Sequence, residues 1–349
     1  MPDIKEWKRL ESGILYDIFT KVHIIFIKIY GVWQAEKIKI TIEKGAKGRK
    51  TFAVSQSGGC RSGSGEVPSG RTERGRFKMK KGISIWSFRE PSLKKCFQMA
   101  KAAGFDGVEV ALDETGEISL ESTQEELAAI LEAARQEGIT LYSVASGLGW
   151  SYSLTDNDAS VRAKAEQIIK KQIDTAAALY CDTILVVPGV VTDQVPYETA
   201  YERAADAIKR LAPYAEARGI TIALENVWNK FLLSPMEMRD FIDSMNSPCV
   251  KAYFDVGNVI LTGYPEQWIR ILGNRIAKVH FKDYRFSAGP MGGFVELLSG
   301  DVNYPAVMAA FREIGYDGWV TGELAPYPQY PEAFLRIASQ VMGTILSEA

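Results

Sequence analysis

Histidine and cysteine are scarce in this chain of 349 residues, and their scarcity excludes several kinds of site. There are only two histidines, His23 and His280, so a metal centre built from several imidazoles is impossible. The four cysteines lie far apart and form no CxxC pair, which argues against a disulfide framework and against a structural zinc site. Because unpaired thiols are typical of reducing compartments, we expect a cytoplasmic protein.

Long apolar runs and a dinucleotide-binding glycine motif are also missing. The apolar stretch at residues 21–33, KVHIIFIKIYGVW, is interrupted by Lys28 and is too short to span a bilayer. No GxGxxG motif follows the first strand predicted below, which argues against a doubly wound nucleotide-binding fold. We therefore expect no membrane partner.

Charge is divided unevenly along the chain. Residues 1–78 contain 16 lysines and arginines and 8 acidic residues, whereas residues 79–349 contain 25 basic and 35 acidic residues. Residues 55–78 are rich in glycine, serine and arginine, a composition typical of unpacked segments. We predict that residues 1–78 are a poorly structured basic extension. It is either a tail for nucleic acid or membrane, or a non-native extension upstream of a true start at Met79, and we favour the second interpretation.

From Met79 onward, eight short apolar runs alternate with segments that carry apolar residues at helical spacing. The first run is GISIWSF at residues 82–88, and the last is GWVTGEL at residues 318–324. Strands that alternate with helices predict a parallel sheet, and eight such units in 271 residues match a (β/α)8 barrel. We therefore predict an α/β fold in which residues 79–349 form a TIM barrel. Four of its helices should end at glycine, at Gly104, Gly138, Gly219 and Gly315.

Side chains of the kind that bind metals stand at the ends of four consecutive predicted strands. Strands five to eight end in, respectively, Glu225, Asp255, His280 and Glu323. In a TIM barrel these strand ends share the active-site face. Three carboxylates crowded there would repel one another unless one gained a proton or a cation bound among them. We predict one divalent metal ion, with Mn²⁺ as first choice and Mg²⁺, Co²⁺ or Zn²⁺ as alternatives.

These ligands and their surrounding motifs resemble the xylose-isomerase-like barrel enzymes. The motifs are FDGVEVALDET (105–115), YFDVGN (253–258), VHFKD (279–283) and GYDGWVTGEL (315–324). Within that superfamily the chain is similar to sugar-phosphate isomerases and epimerases, close to the L-ribulose/L-xylulose 5-phosphate 3-epimerases and the D-tagatose 3-epimerases. The resemblance covers Met79 to the C-terminus.

The resemblance implies a reaction and assigns roles to the four ligands. Glu225 and Glu323 would bind the metal and act as the catalytic acid and base, whereas Asp255 and His280 would only bind it. The implied reaction is epimerisation at C3 of a ketose or ketose phosphate. One glutamate removes a proton, the other returns one, and the cation stabilises the enediolate, so no organic cofactor is needed. A homo-oligomer is expected by analogy.

Five further residues are candidate substrate contacts. Glu109 ends the second strand and either binds substrate or steadies the site. Asn258 stands close to where many tagatose-type epimerases have a second histidine, and it could bind a sugar hydroxyl. Lys282 and Arg285 follow the histidine ligand and could receive a phosphate. Trp86 could present an aromatic wall to a sugar.

Several alternatives remain open for the substrate and the reaction. Asn258, and Leu232 after Phe231, depart from the pattern of free-ketohexose epimerases and favour another substrate, such as a phosphorylated one. An aldose–ketose isomerase of the hexulose-phosphate type could use the same site, as could a barrel that only binds sugar. An endonuclease on this fold is excluded because it needs several histidines, and the acidic barrel argues against a nucleic-acid partner. We expect the loop at residues 287–293, SAGPMGG, to cover the site as a lid.

Overall fold

The computed structural model of the protein describes residues 79–289 and 291–347, together with the backbone of two earlier strands, Ile40–Lys44 and Lys50–Val54. Those two strands pair as an antiparallel hairpin inside the segment that we predicted to be poorly structured. The rest of residues 1–78 lies outside the described part, as does His23. The division of the native protein at Met79 stays a prediction.

Eight parallel strands close into a barrel, which confirms the predicted (β/α)8 fold. Each strand pairs with the next one along the chain, and the eighth pairs with the first. The strands are β1 Lys80–Ser84, β2 Gly107–Ala111, β3 Thr140–Ala145, β4 Thr183–Val186, β5 Thr221–Glu225, β6 Val250–Asp255, β7 Ile276–Phe281 and β8 Trp319–Gly322.

Helices connect the strands and cover the outside of the barrel. In the part of the chain that the structure describes they are α1 Leu93–Ala103, α2 Gln124–Gln136, α3 Ala159–Ala178, α4 Tyr197–Glu216, α5 Pro235–Ser244, α6 Pro265–Leu272, α7 Tyr304–Ile314 and α8 Pro331–Ser347, with one helical turn, Val256–Val259, before α6. No helix among these residues is both long enough and apolar enough to cross a bilayer.

Local sequence signals set the ends of several helices. Thr123 and Glu126 form a capping box at the start of α2, an arrangement worth about 1 kcal/mol. The four glycines that were predicted to end helices have φ angles of 88°, 66°, 65° and 73°, in the left-handed region that L side chains avoid, and are Gly104, Gly138, Gly219 and Gly315. The prediction is confirmed for α1 and α7, which end directly before Gly104 and Gly315, whereas α2 and α4 end two and three residues before their glycines.

Two kinds of side chain fill the interior. Apolar residues such as Phe97, Phe241 and Phe311 pack between the strands and the helices and are fully buried. Inside the barrel lies a polar layer, in which the hydroxyl of Tyr142 contacts Thr321 Oγ1 at 2.8 Å. Gly82 on β1 makes room for this layer, because a Cβ atom there would overlap the phenol of Tyr142.

We expect Gly82→Ala to destabilise the protein by about 1–3 kcal/mol, because the added methyl group would force the Tyr142 ring out of its place. Urea unfolding followed by circular dichroism measures this change. The matched control is Gly147→Ala, since a Cβ atom at Gly147 would contact nothing within 4 Å. Equal stability of the two variants would contradict the packing that we describe.

Candidate active site

The structure brings the four predicted metal ligands together at the carboxyl ends of β5–β8. Glu225, Asp255, His280 and Glu323 each offer one ligand atom, and these atoms all lie within 4.8 Å of one another. The strand register produces this arrangement, because Asp255 is paired with His280 across β6 and β7. Three of the four side chains are buried, and Glu323 keeps 19% of its side chain exposed.

Asp255 is held in place from three directions. The side chain of Asn226 accepts a hydrogen bond from the backbone N–H of Asp255 and donates one to its carbonyl, both at 2.8 Å. Asp255 Oδ1 accepts the backbone N–H of Asn258 at 2.7 Å and so caps the single helical turn. Its other oxygen, Oδ2, is left to face the centre of the site.

Glu323 is positioned by the backbone around it. Its N–H donates to the carbonyl of Phe281 at 3.2 Å, which extends the β7–β8 ladder by one residue. The next N–H, that of Leu324, donates to Ser87 Oγ at 3.0 Å, and this contact ties the strand end to the loop after β1. The backbone of Glu323 is therefore fixed, and its carboxylate points toward His280.

His280 lies at the centre of the cluster and uses its two ring nitrogens differently. Nδ1 faces the other three ligands and lies 3.1 Å from Glu225, 3.8 Å from Asp255 and 2.8 Å from Glu323. Nε2 points the opposite way, to Glu109 Oε1 at 2.9 Å. Glu109 was predicted to end the second strand, but it lies in the middle of β2 and its carboxylate is fully buried behind the histidine. Its role, binding substrate or steadying the site, stays a prediction.

Burial and charge give the clustered groups different proton affinities. Burial raises the pKa of Glu225 to about 7, and it also raises the pKa of Asp255. Glu323 is buried as well, but the positive charges of Lys282 and His280 outweigh burial and lower its pKa. Burial opposes the charge of His280, yet Glu109 and Glu323 outweigh it, so the pKa of His280 is raised. Perturbed carboxylates of this kind are typical of functional sites.

The donor set fits a divalent cation. Asp255 Oδ2 and Glu323 Oε2 are buried and accept no well-formed hydrogen bond from any described residue. The ammonium of Lys282 lies 3.0 Å and 2.8 Å from these two oxygens and partly balances their charge. Three carboxylates and one imidazole suit Mn²⁺, Mg²⁺ or Co²⁺ and would also accept Zn²⁺.

A cavity of about 380 Å³ opens beside Glu323 and Lys282. Its apolar wall is formed by side chains that include Trp86, Phe294 and Phe334. Trp86 is 40% exposed, which leaves part of its ring open to the cavity. Such a wall suits the apolar face of a sugar. Substrate binding by Trp86 and Lys282 stays a prediction that this placement supports.

Asn258 and Arg285 were also predicted to contact substrate, and both side chains have partners within the protein. Asn258 Nδ2 donates to the carbonyl of Asn226 at 3.0 Å and so belongs to the scaffold around Asp255. The exposed guanidinium of Arg285 donates to the carbonyl of Ser299, with Nε at 3.1 Å. A substrate role for either residue stays a prediction.

Two features of the site were not predicted. Asn226 holds Asp255, and its only signal in the sequence was its place directly after a strand-end glutamate. Phe231, in the loop after β5, is 2% exposed and packs against Tyr197, Tyr201 and Phe241.

The loop that was predicted to act as a lid starts from a short antiparallel strand pair, Asp283–Tyr284 with Phe294–Val295. Tyr284 donates from its hydroxyl to the carbonyl of Gly289 at 2.9 Å. Pro290 lies outside the described residues. Movement of this loop over the site stays a prediction.

Comparison with known proteins identifies the family. The family model described as a xylose isomerase-like TIM barrel matches residues 97–340. The chain belongs to this family. The closed barrel thus agrees with the resemblance that the sequence motifs indicated.

Two curated members resemble the chain at similar levels. The L-ribulose-5-phosphate 3-epimerase UlaE of Salmonella typhi is 26% identical over 227 residues, covering 63% of this chain and 78% of that protein. The 2-epi-5-epi-valiolone 7-phosphate 2-epimerase of an Actinoplanes species is 26% identical over 211 residues, covering 60% of this chain and 74% of that one. Both relatives are epimerases, and the predicted enzyme class, an isomerase, is confirmed.

Solved structures of the family share the fold. A crystal structure of D-psicose 3-epimerase in the presence of D-fructose has a TM-score of 0.64 to this chain and is 22% identical. The match covers 76% of this chain and 98% of that one. At this identity the likeness shows a common barrel, and the substrate must be argued from the site itself.

Metal binding should depend on pH through Glu225. Since its pKa is raised from 4.5 to about 7, the carboxyl stabilises the metal-free protein below pH 4.5 and loses that contribution as pH rises through 7. A cation needs ionised Glu225 and a free Nδ1 lone pair on His280, whose pKa is also raised, so the rise in melting temperature caused by Mn²⁺ should grow as pH rises through about 7. Differential scanning fluorimetry across this range measures the effect.

Two variants test whether Mn²⁺ binds at the predicted centre or at carboxylates on the protein surface. Asp255→Asn should lose most of the Mn²⁺-induced shift, because it removes the buried ligand oxygen that faces the centre. Asp206→Asn, a change of the same chemistry on the exposed face of α4, should keep the shift. A shift of equal size in both variants would place the ion elsewhere.

Proposed function

We propose that the protein is a divalent-metal-dependent epimerase that inverts C3 of a ketose or ketose phosphate. One observation carries this proposal: Glu225 from β5 and Glu323 from β8 reach the same imidazole nitrogen from strands that are not neighbours, at 3.1 Å and 2.8 Å. Two carboxylates that approach a bound sugar from different sides can remove a proton from one face and return one to the other.

The unequal proton affinities of the two glutamates support these roles. Glu323 has a lowered pKa and is ionised, ready to accept a proton from the substrate carbon. The pKa of Glu225 is raised to about 7, so of the two carboxyls it is the one that takes up a proton more readily. Environments that push two carboxylates apart in this way mark an acid and a base. Epimerisation runs in both directions, so the two residues exchange roles in the reverse reaction.

Other residues of the site would bind the cation and orient the sugar. Glu225, Asp255, His280 and Glu323 would hold the cation, which when bound supplies positive charge against the negative charge that develops on the substrate oxygens. The aromatic wall with Trp86 would orient the sugar beside Glu323. Since these groups supply the whole proton transfer, no organic cofactor is required.

The curated relatives support a phosphorylated substrate, because both are epimerases of phosphorylated compounds. Lys282 is the cationic side chain on the cavity wall and is the candidate for a phosphate contact. We further propose a cytoplasmic location, in keeping with the free thiols of Cys96, Cys181 and Cys249, and a homo-oligomer.

Proton exchange tests the reaction directly. With the full-length protein and Mn²⁺ in D₂O, we expect deuterium to appear at C3 of a ketose or ketose phosphate, and EDTA should abolish the exchange. The panel contains L-ribulose 5-phosphate, D-psicose and matched aldoses, read by NMR after the Mn²⁺ has been removed. Deuterium at C1 of a ketose or C2 of an aldose would instead show an aldose–ketose isomerase. Exchange at none of these positions would overturn the proposal for these compounds.

The two glutamates should each be indispensable. Glu225→Gln and Glu323→Gln should each lower kcat by about 10²–10⁴-fold, the usual contribution of a general acid or base. Steady-state assays on the best substrate of the panel measure this loss. Glu132→Gln, the same change on the exposed face of α2, should leave kcat unchanged. Full activity of either site variant would remove that residue from the mechanism.

A further inference from the structure

Glu109 contacts the side of His280 that faces away from the other ligands. It lies on β2, which is separated from β8 by β1 and from β5 by β3 and β4, and its side chain is fully buried. Its Oε1 lies 2.9 Å from His280 Nε2. Glu109 is not among the residues that line the cavity, and the imidazole ring stands between it and the carboxylates that Nδ1 faces.

The second oxygen of Glu109 is occupied by two hydroxyl donors. Ser143 Oγ donates to Oε2 at 2.6 Å, and the hydroxyl of Tyr253 donates to the same oxygen. Ser143 on β3 and Tyr253 on β6 are themselves fully buried inside the barrel. The two oxygens of Glu109 are thereby distinguished: one faces the imidazole, and the other is held by hydroxyls.

This arrangement decides which imidazole nitrogen keeps its proton when a cation binds. A carboxylate only accepts hydrogen bonds, so Nε2 must be the N–H donor to Glu109. A neutral imidazole then has its lone pair on Nδ1, the nitrogen that faces Glu225, Asp255 and Glu323. The opposite tautomer would place two lone pairs against each other at Nε2 and an N–H where a cation should bind.

We propose that Glu109 is a positioning residue that keeps the proton on Nε2 of His280 and so directs the Nδ1 lone pair into the metal centre. This inference rests on the proposed metal site. It assigns Glu109 to the metal rather than to the substrate. A carboxylate behind a metal-bound histidine raises the basicity of the ligand and fixes its orientation.

The hydroxyl donors make Glu109→Gln an informative variant. Ser143 and Tyr253 favour an acceptor at the Oε2 position, so the amide oxygen of the new side chain should stay there. Its NH₂ group would then face His280 Nε2 and donate to it, which moves the imidazole proton to Nδ1. The substitution changes almost no volume, yet it should select the tautomer that cannot bind the cation.

Isothermal titration calorimetry with Mn²⁺ measures the consequence in the full-length protein. We expect Glu109→Gln to weaken Mn²⁺ binding by about 10–100-fold, the effect typical of such supporting carboxylates. Adding Ser143→Ala and Tyr253→Phe to this variant frees the amide to turn its oxygen toward Nε2, so part of the affinity should return. The same two substitutions with Glu109 intact should change the affinity much less.

A spectroscopic measurement reads the tautomer of His280 without any substitution in the site. Since the chain has only His23 and His280, long-range ¹H–¹⁵N spectra of the Zn²⁺-loaded protein contain two imidazoles, and His23→Gln assigns them. We expect a protonated Nε2 and a metal-bound Nδ1 for His280. A metal-bound Nε2, or wild-type Mn²⁺ affinity in Glu109→Gln, would overturn the role of Glu109. No binding of either ion by the wild-type protein would instead refute the metal centre itself.

Discussion

The rest of the site depends on the contacts between the imidazole of His280 and the carboxylates on its two sides. The imidazole is fully buried, with Glu109 on one side and the carboxylates of Glu225 and Glu323 on the other. Burying so many ionisable groups is unfavourable unless their charges are matched. The barrel meets this requirement with hydrogen bonds to Glu109, with the charge of Lys282, and with an arrangement of oxygens that a divalent cation would complete. The contacts that make burial of these charges tolerable are therefore the same ones that would position the metal ligands.

Much of the fold and of the metal centre could be predicted because the responsible signals are local. The alternation of apolar runs and helical segments needs no knowledge of tertiary contacts, and a strand-end residue such as Asp255 is placed by the barrel topology alone. The orientation of side chains could not be predicted in the same way. Glu109 points inward because of the β2 register, and Phe231 is drawn into an aromatic cluster, and neither fact is encoded in nearby residues.

The polar residues inside the barrel form one connected network that the strands build together. Ser143 and Tyr253 come from different strands, yet both donate to the one carboxylate that supports His280. Such a network is costly when one member is unpaired, so its members constrain one another. The network also requires glycine at position 82, because only a residue without a Cβ leaves room there for the phenol of Tyr142.

The position of Lys282 bears on the substrate. Its ammonium lies 3.0 Å from Asp255 Oδ2 and 2.8 Å from Glu323 Oε2, two oxygens that accept no well-formed hydrogen bond from the described residues. A divalent cation bound by these oxygens would repel the ammonium, and the lysine also forms part of the cavity wall. A phosphate ester could therefore use Lys282 only once the cation has taken over its two partners. For a free ketose, which needs no such charge, the aromatic wall and the metal would suffice, so the choice between the two classes depends on where this ammonium lies in the loaded enzyme.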